Sequence, residues 1–346
     1  MSDSVLQTVP LGMPWQTADP FLFCVHHLDR YPAANEHMGP VASLAVRDIG
    51  MDFSGADGWS MYHGSIVPGF PQHPHRGFET VTFVRQGLVD HSDSLGATAR
   101  FGRGDVQWLT AGSGIVHCEM FPLLDRTGPN TTELFQIWLN LPADDKMVDP
   151  YFTMQWRGDI PRLALTDDDG HRGEVTVIAG TIDGIRPLAA PPDSYASRTD
   201  SDLAIWHVVL EPSARWEVPP ASSADTTRTL YVFEGSISVA GHTVDAPTGV
   251  IVRPLEVVTV AAGPEGAEVL VLQGRPIGEP VAQYGPFVMN DRAGIEQALV
   301  DYQTTGFGGW PWPTDDPVHP RVARRFARHA DGRLQEPAAP DDAASA

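Results

Sequence analysis

Apolar and polar residues alternate along this chain in short runs broken by glycine and proline. Thr80-Val81-Thr82-Phe83-Val84, Val106-Gln107-Trp108-Leu109-Thr110 and Phe135-Gln136-Ile137-Trp138-Leu139 each carry the two-residue period of a strand with one buried face. Residues 20–28 form a longer apolar run that includes His26 and His27, which predicts a buried opening strand. After a polar connection over 144–161 and an exposed Pro/Ala/Ser/Asp loop over 187–201, the rhythm resumes at 204–211, 229–233, 250–254 and 269–273. In particular, Leu230-Tyr-Val-Phe-Glu-Gly235 echoes Val81-Thr-Phe-Val-Arg-Gln-Gly87, which predicts a duplicated barrel. Helical spacing occurs late: Asn290 is placed to cap a short helix with Ile295, Leu299 and Tyr302 on one packing face.

Composition agrees with an all-β reading. The 33 glycines and 31 prolines punctuate short runs rather than long helices, and 346 residues at 42% hydrophobic suffice for two cores. Residues 15–142 are expected to form one barrel, and 143–306 a second with its connecting segment and helix. Residues 307–346, rich in Pro, Ala, Asp and Arg, are expected to form a mostly disordered tail, with 321–328 as solvated charge. A formal net charge of -21 argues against direct nucleic-acid binding. Cys24 and Cys118 are too few for a disulfide framework, and the first twenty residues lack a basic start followed by an apolar run. A soluble cytoplasmic protein without a signal peptide is therefore expected, with no membrane span.

The candidate chemistry lies between 73 and 119. His73-Pro74-His75 and His117-Cys118-Glu119 each place two donors on one face of an extended chain, and facing strands would bring three imidazoles and a carboxylate together. Such a nitrogen and oxygen set with open positions suits iron(II), manganese, nickel, copper or zinc. Unbroken alternation from His75 would make Glu79 a fifth donor, sharing its face with Val81 and Phe83, unless Gly77 breaks the register. Cys118 has the opposite parity and reads as a packed thiol. His91 reads as structural, within a hairpin turn over 90–96. Chance alone gives roughly 0.5 His-x-His pairs in this composition, so that pair by itself is weak; the second pair, across strand and turn signals, strengthens it. The second half offers Trp216-Glu217-Val218-Pro219-Pro220 and residues 252–257 where these pairs would fall, and His207 and His242 belong to no such pair. That barrel is expected to be metal-free.

His73-Pro-His-Arg-Gly-Phe-Glu-Thr80, Gly104-Asp-Val-Gln-Trp-Leu-Thr-Ala-Gly112, Gly114-Ile-Val-His-Cys-Glu-Met120 and Gln283-Tyr-Gly-Pro-Phe-Val-Met-Asn290 resemble signatures of the pirin family within the cupin superfamily. The resemblance spans residues 15–306. It implies two tandem jelly-roll cupin barrels with one iron site in the first, on His73, His75, His117 and Glu119, and Glu79 not a ligand. It also implies two functional classes: a quercetin 2,3-dioxygenase that opens a flavonol with O2, with Glu119 as the base, or an iron-dependent regulator that binds a protein partner. A structural metal that only stiffens the barrel is the third reading, disfavoured because closed structural sites are usually Cys-rich. Phe78, Phe83, Trp108 and Met120 are the apolar candidates to hold a flat substrate. A monomer is expected, since two barrels in one chain already cover each other's apolar surface. The chain departs from the family pattern in a long loop before His73, in Cys118 and in its acidic tail.

Overall fold

The computed structural model describes residues 4–338. The chain divides into two compact units. One comprises residues 25–137, 143–158 and 279–346 and contains the candidate site. The other comprises residues 1–24, 138–142 and 159–278. Both are built from antiparallel strands, with a single short α-helix among the described residues. No described helix is long and apolar enough to cross a membrane.

The site-bearing unit is a jelly roll of two sheets. One orders Tyr151–Gln155, Asp105–Thr110, Phe78–Gln86, Asn130–Asn140 and Phe21–Tyr31 side by side. The other orders Leu334–Gln335, Phe326–Arg328, Thr98–Gly102, Leu88–Asp93, Ile115–Met120 and Gly69–His75. Between them lies a core that includes Val84, Val89, Phe101, Leu109, Ile115, Leu134 and Phe152. In the other unit, Ala204–Leu210, Arg215–Val218, Thr227–Val239, Thr248–Val252 and Val258–Gly274 wrap an interior of almost pure aliphatic and tryptophan side chains.

Several sequence expectations shift. The strand predicted to open the chain runs Phe21–Tyr31 and is preceded by Val5–Pro10 and Trp15–Gln16. The connection over 144–161 contains the strand Tyr151–Gln155, which pairs with Asp105–Thr110. The hairpin turn is shorter than expected. Residues through Asp93 are strand, and Asp93 Oδ1 closes the turn by accepting the backbone N–H of Leu95 (2.9 Å) and Ala97 (3.0 Å). The helix Arg292–Thr305 is capped by Asp291, whose side chain accepts from Gly294 N, while Asn290 donates to Glu279 and Pro280 instead.

The largest difference is the tail, which is ordered from 307 through 338; residues 339–346 lie outside the described residues. Low hydrophobicity argued for disorder, but the segment is held by charge-assisted hydrogen bonds together with a few buried apolar side chains such as Phe307 and Ala327. Arg321 donates to the carbonyls of Leu123, Leu124 and Asn35, and Arg325 pairs with Asp105 at 2.8 Å. From the barrel side, Arg100 forms a bidentate pair with Asp90 and also donates to the carbonyls of His319, Pro320 and Ala323. Phe326–Arg328 then adds to the edge of Thr98–Gly102. Within 321–328, therefore, Arg321 and Arg325 are docked, while Arg324 and Arg328 remain exposed.

Candidate metal centre

Antiparallel pairing of Gly69–His75 with Ile115–Met120 sets His73 directly across from His117. The register shifts between Phe70, which faces Glu119, and His73. One strand therefore supplies an extra residue there, and this bulge aims the histidine pair into the barrel. The three imidazoles meet: ring centroids lie 4.7 Å apart for His73 and His75, 4.5 Å for His73 and His117, and 4.8 Å for His75 and His117. Their ligand atoms lie within 4.8 Å of one another, the one such group of three or more among the described residues.

The donors suit a cation. Burial, reinforced for His75 and His117 by neighbouring imidazoles, holds all three neutral at neutral pH. His73 is lowered to about 4, and His75 and His117 well below the usual imidazole value. His73 Nδ1 donates to the Pro71 carbonyl at 2.8 Å, which leaves its Nε2 as a bare lone pair. Both ring nitrogens of His117 are buried without a hydrogen-bond partner. Such an orphaned group costs about 1–3 kcal/mol, and a bound ion would offset that cost.

Glu119 stands beside this trio rather than within it, with Oε2 4.0 Å from His117 Nε2. Thr82 Oγ1 lies 3.2 Å from one carboxylate oxygen and Gln136 Nε2 donates to the other at 3.2 Å, while Thr82 also bonds Gln136 at 2.8 Å. Burial raises the Glu119 pKa, and His91, Thr82 and Gln136 draw it back down. Sequence reading missed Thr82 and Gln136. The signal available was a polar residue at every second position of one strand, and a lone glutamine inside an apolar one.

The parity expected for Glu79 fails at Gly77. That residue turns the chain at φ +83°, and a Cβ there would sit 2.0 Å from the Val288 carbonyl oxygen, so only glycine fits. Alternation restarts with Phe78, Thr80 and Thr82 facing the histidines. Glu79 faces the opposite way, accepting from Trp108 Nε1 (3.1 Å) and Thr110 Oγ1 (2.8 Å). Among the four apolar candidates, Phe78 packs against a site histidine, its ring 5.1 Å from that of His75. Phe83 and Trp108 share the face of Glu79, and Met120 packs with Cys118, Met38 and Val67. Cys118 is thus a packed thiol, pushed up by burial. His91 is fully buried across from Glu119, with its ring 5.4 Å from His117 and its Nε2 3.1 Å from Asp93 Oδ2.

Two tandem cupin-type barrels, one of them lined with convergent histidines, define a bicupin with a candidate metal site. Comparison with known proteins then identifies the family: the Pirin profile matches residues 14–139 and the profile of the Pirin C-terminal cupin domain matches residues 205–308. The chain belongs to the pirin family. A pirin-like protein of Caulobacter vibrioides is 41% identical over 239 residues, covering 69% of this chain and 80% of its own length. A Pseudomonas aeruginosa protein provisionally named a quercetin 2,3-dioxygenase is 39% identical over 240 residues, covering 69% and 79%. The crystal structure of a quercetin 2,3-dioxygenase from Acinetobacter baumannii superposes with a TM-score of 0.66 at 29% identity, covering 84% of this chain and 87% of that one.

Proposed function

We propose that this pirin is a mononuclear metal oxygenase that opens a flavonol ring with O2, its ion, iron in our reading, held by His73, His75, His117 and Glu119. The observation that carries this reading is the buried imidazole trio with a carboxylate at its side. A divalent ion held there would supply Lewis-acid and redox chemistry with positions left open for a flavonol oxygen and O2. The chain's own residues do the rest. Glu119, the carboxylate beside the trio, accepts the proton of the flavonol hydroxyl. Thr82 and Gln136 hold its two oxygens in place. Phe78, against His75, and Phe70, with its ring 6.3 Å from His73, offer flat apolar walls to an aromatic substrate. The activity named for the Acinetobacter and Pseudomonas relatives supports the same chemistry.

The test is anaerobic purification with elemental analysis, followed by oxygen uptake over a panel of flavonols. Glu119→Gln is expected to retain part of the metal and to lose more than about 100-fold in turnover while flavonol affinity changes far less. If fully iron-loaded protein consumes no oxygen with any flavonol, the oxygenase reading falls. An iron-dependent regulator that binds a protein partner then takes its place.

A further inference from the structure

The ordered tail does more than cover a sheet edge. Phe326–Arg328 and Leu334–Gln335 pair with each other, and the turn between them lies over a cavity of about 180 Å³ within the site-bearing unit. Leu95, Leu109 and Ile115 from the barrel form its apolar wall. Phe152 lines it beside His329, the two rings stacked at 4.7 Å and 17°. None of His73, His75, His117 or Glu119 lines it, so it is separate from the metal centre. The C-terminal family profile ends at residue 308, so the tail half of this cavity lies outside the matched family core.

Size and charge together narrow the ligand. An apolar cavity of roughly 150 Å³ accepts a benzene molecule, so this one takes a single six-membered ring with one substituent at the mouth. Three charged side chains line it, and two are engaged. Asp93 accepts from two backbone N–H groups and faces His91, and Asp331 Oδ1 accepts the backbone N–H of Arg333. The Arg333 guanidinium makes no ion pair or hydrogen bond within the described residues. A planar guanidinium at the rim of an apolar slot matches a carboxylate, whose two oxygens it can hold at once. The chain's net charge of -21 opposes an anion only weakly, because at physiological salt charges beyond about 8 Å are screened.

We propose that this cavity binds a single-ring aromatic carboxylate, its ring against Phe152 and its carboxylate on Arg333. The inference is independent of the oxygenase reading. It is tested on full-length protein stripped of metal with a chelator, so that a carboxylate cannot report on a bound ion. Calorimetric titrations compare benzoate with its neutral counterpart phenol and with benzylamine. Benzoate is expected to bind one site per chain about ten-fold more tightly than phenol. Arg333→Gln should reduce benzoate to the level of phenol and leave phenol unchanged. A crystal soaked with 4-bromobenzoate should place the bromine between Leu109 and Phe152. Benzoate no tighter than phenol, benzylamine tighter than both, an unchanged benzoate affinity in Arg333→Gln, or bromine anywhere else would overturn the proposal, as would the absence of binding at millimolar concentration.

Discussion

The two units use one strand plan with opposite interiors. In each, a strand is broken by a glycine in the left-handed region where a Cβ would strike neighbouring backbone: Phe78–Gln86 ends before Gly87 (φ +76°), and Gly235 (φ +70°) shifts the pairing register within Thr227–Val239. Counting back from these glycines sets Thr82 against Leu230. Thr82 holds Glu119, whereas Leu230 is sealed in an aliphatic core. The strand Arg215–Val218 pairs with the start of Val258–Gly274 just as the histidine strand pairs with Ile115–Met120. Trp216 lies across from Val260 where His73 lies across from His117, so Val260 and Ala262, rather than residues 252–257, stand in the place of the second donor pair. Every buried Asp or Glu among the described residues also belongs to the site-bearing unit: Asp29, Asp52, Glu79, Asp90, Asp93, Asp105, Glu119 and Glu133. Backbone ladders and turn glycines suffice to specify the barrel, which leaves the inward side chains open to serve either packing or chemistry. A packed interior gains about 25 cal/mol per Å² of apolar surface removed from water. The site-bearing barrel forgoes part of that gain to keep its donors.

The contrast breaks most sharply at the donors. His117→Ala should reduce metal from one equivalent per chain to nearly none by elemental analysis, a larger loss than the roughly 10–100-fold typical of residues that merely orient a ligand. Metal content unchanged in that variant, or near two equivalents in the wild type, would remove the distinction between the barrels. Next comes packing. Leu230→Ala should cost about 2–5 kcal/mol of stability in denaturant titrations while metal content stays at one. Its positional counterpart Thr82→Val should do the reverse, changing stability by less than about 1 kcal/mol and weakening metal binding by about ten-fold in chelator competition.

A pH dependence sharpens the asymmetry in buried carboxylates. Burial pushes Asp29 up to about 6 even though Tyr62 and Ser60 donate to it. Below pH 4 it is protonated in both folded and unfolded chains. Between pH 4 and 6 the unfolded chain releases the proton and the folded chain keeps it, so stability falls as pH rises through that window and is level above it. The shift corresponds to about 3 kcal/mol. Asp29→Asn should flatten the stability curve of the site-bearing unit between pH 4 and 6, measured by denaturant titration at each pH. An unaltered slope would place the pH response elsewhere.

The two candidate donor pairs were legible because a two-residue period forces His73 with His75, and His117 with Glu119, onto common faces. What period alone could not supply were the interruptions. The bulge between Phe70 and His73 and the left-handed turn at Gly77 depend on backbone approaches from distant residues, Glu119 and Val288 among them. For that reason unbroken alternation puts Glu79, Val81 and Phe83 on the wrong face and passes over Thr82. The tail misled for another reason. Composition registers missing apolar residues, but it cannot register that Arg321 will find three backbone carbonyls and Arg325 a buried carboxylate.

The division of the chain has a temporal side. The unit that holds the donors is interrupted at residue 158 and resumes only at 279, after nearly all of the other unit has been made. At a ribosomal rate of about 5–20 residues per second, its histidines emerge on the order of ten seconds or more before the helix and tail that complete it. The aliphatic unit can therefore fold while its neighbour is still incomplete, and the finished histidine-bearing barrel is assembled last.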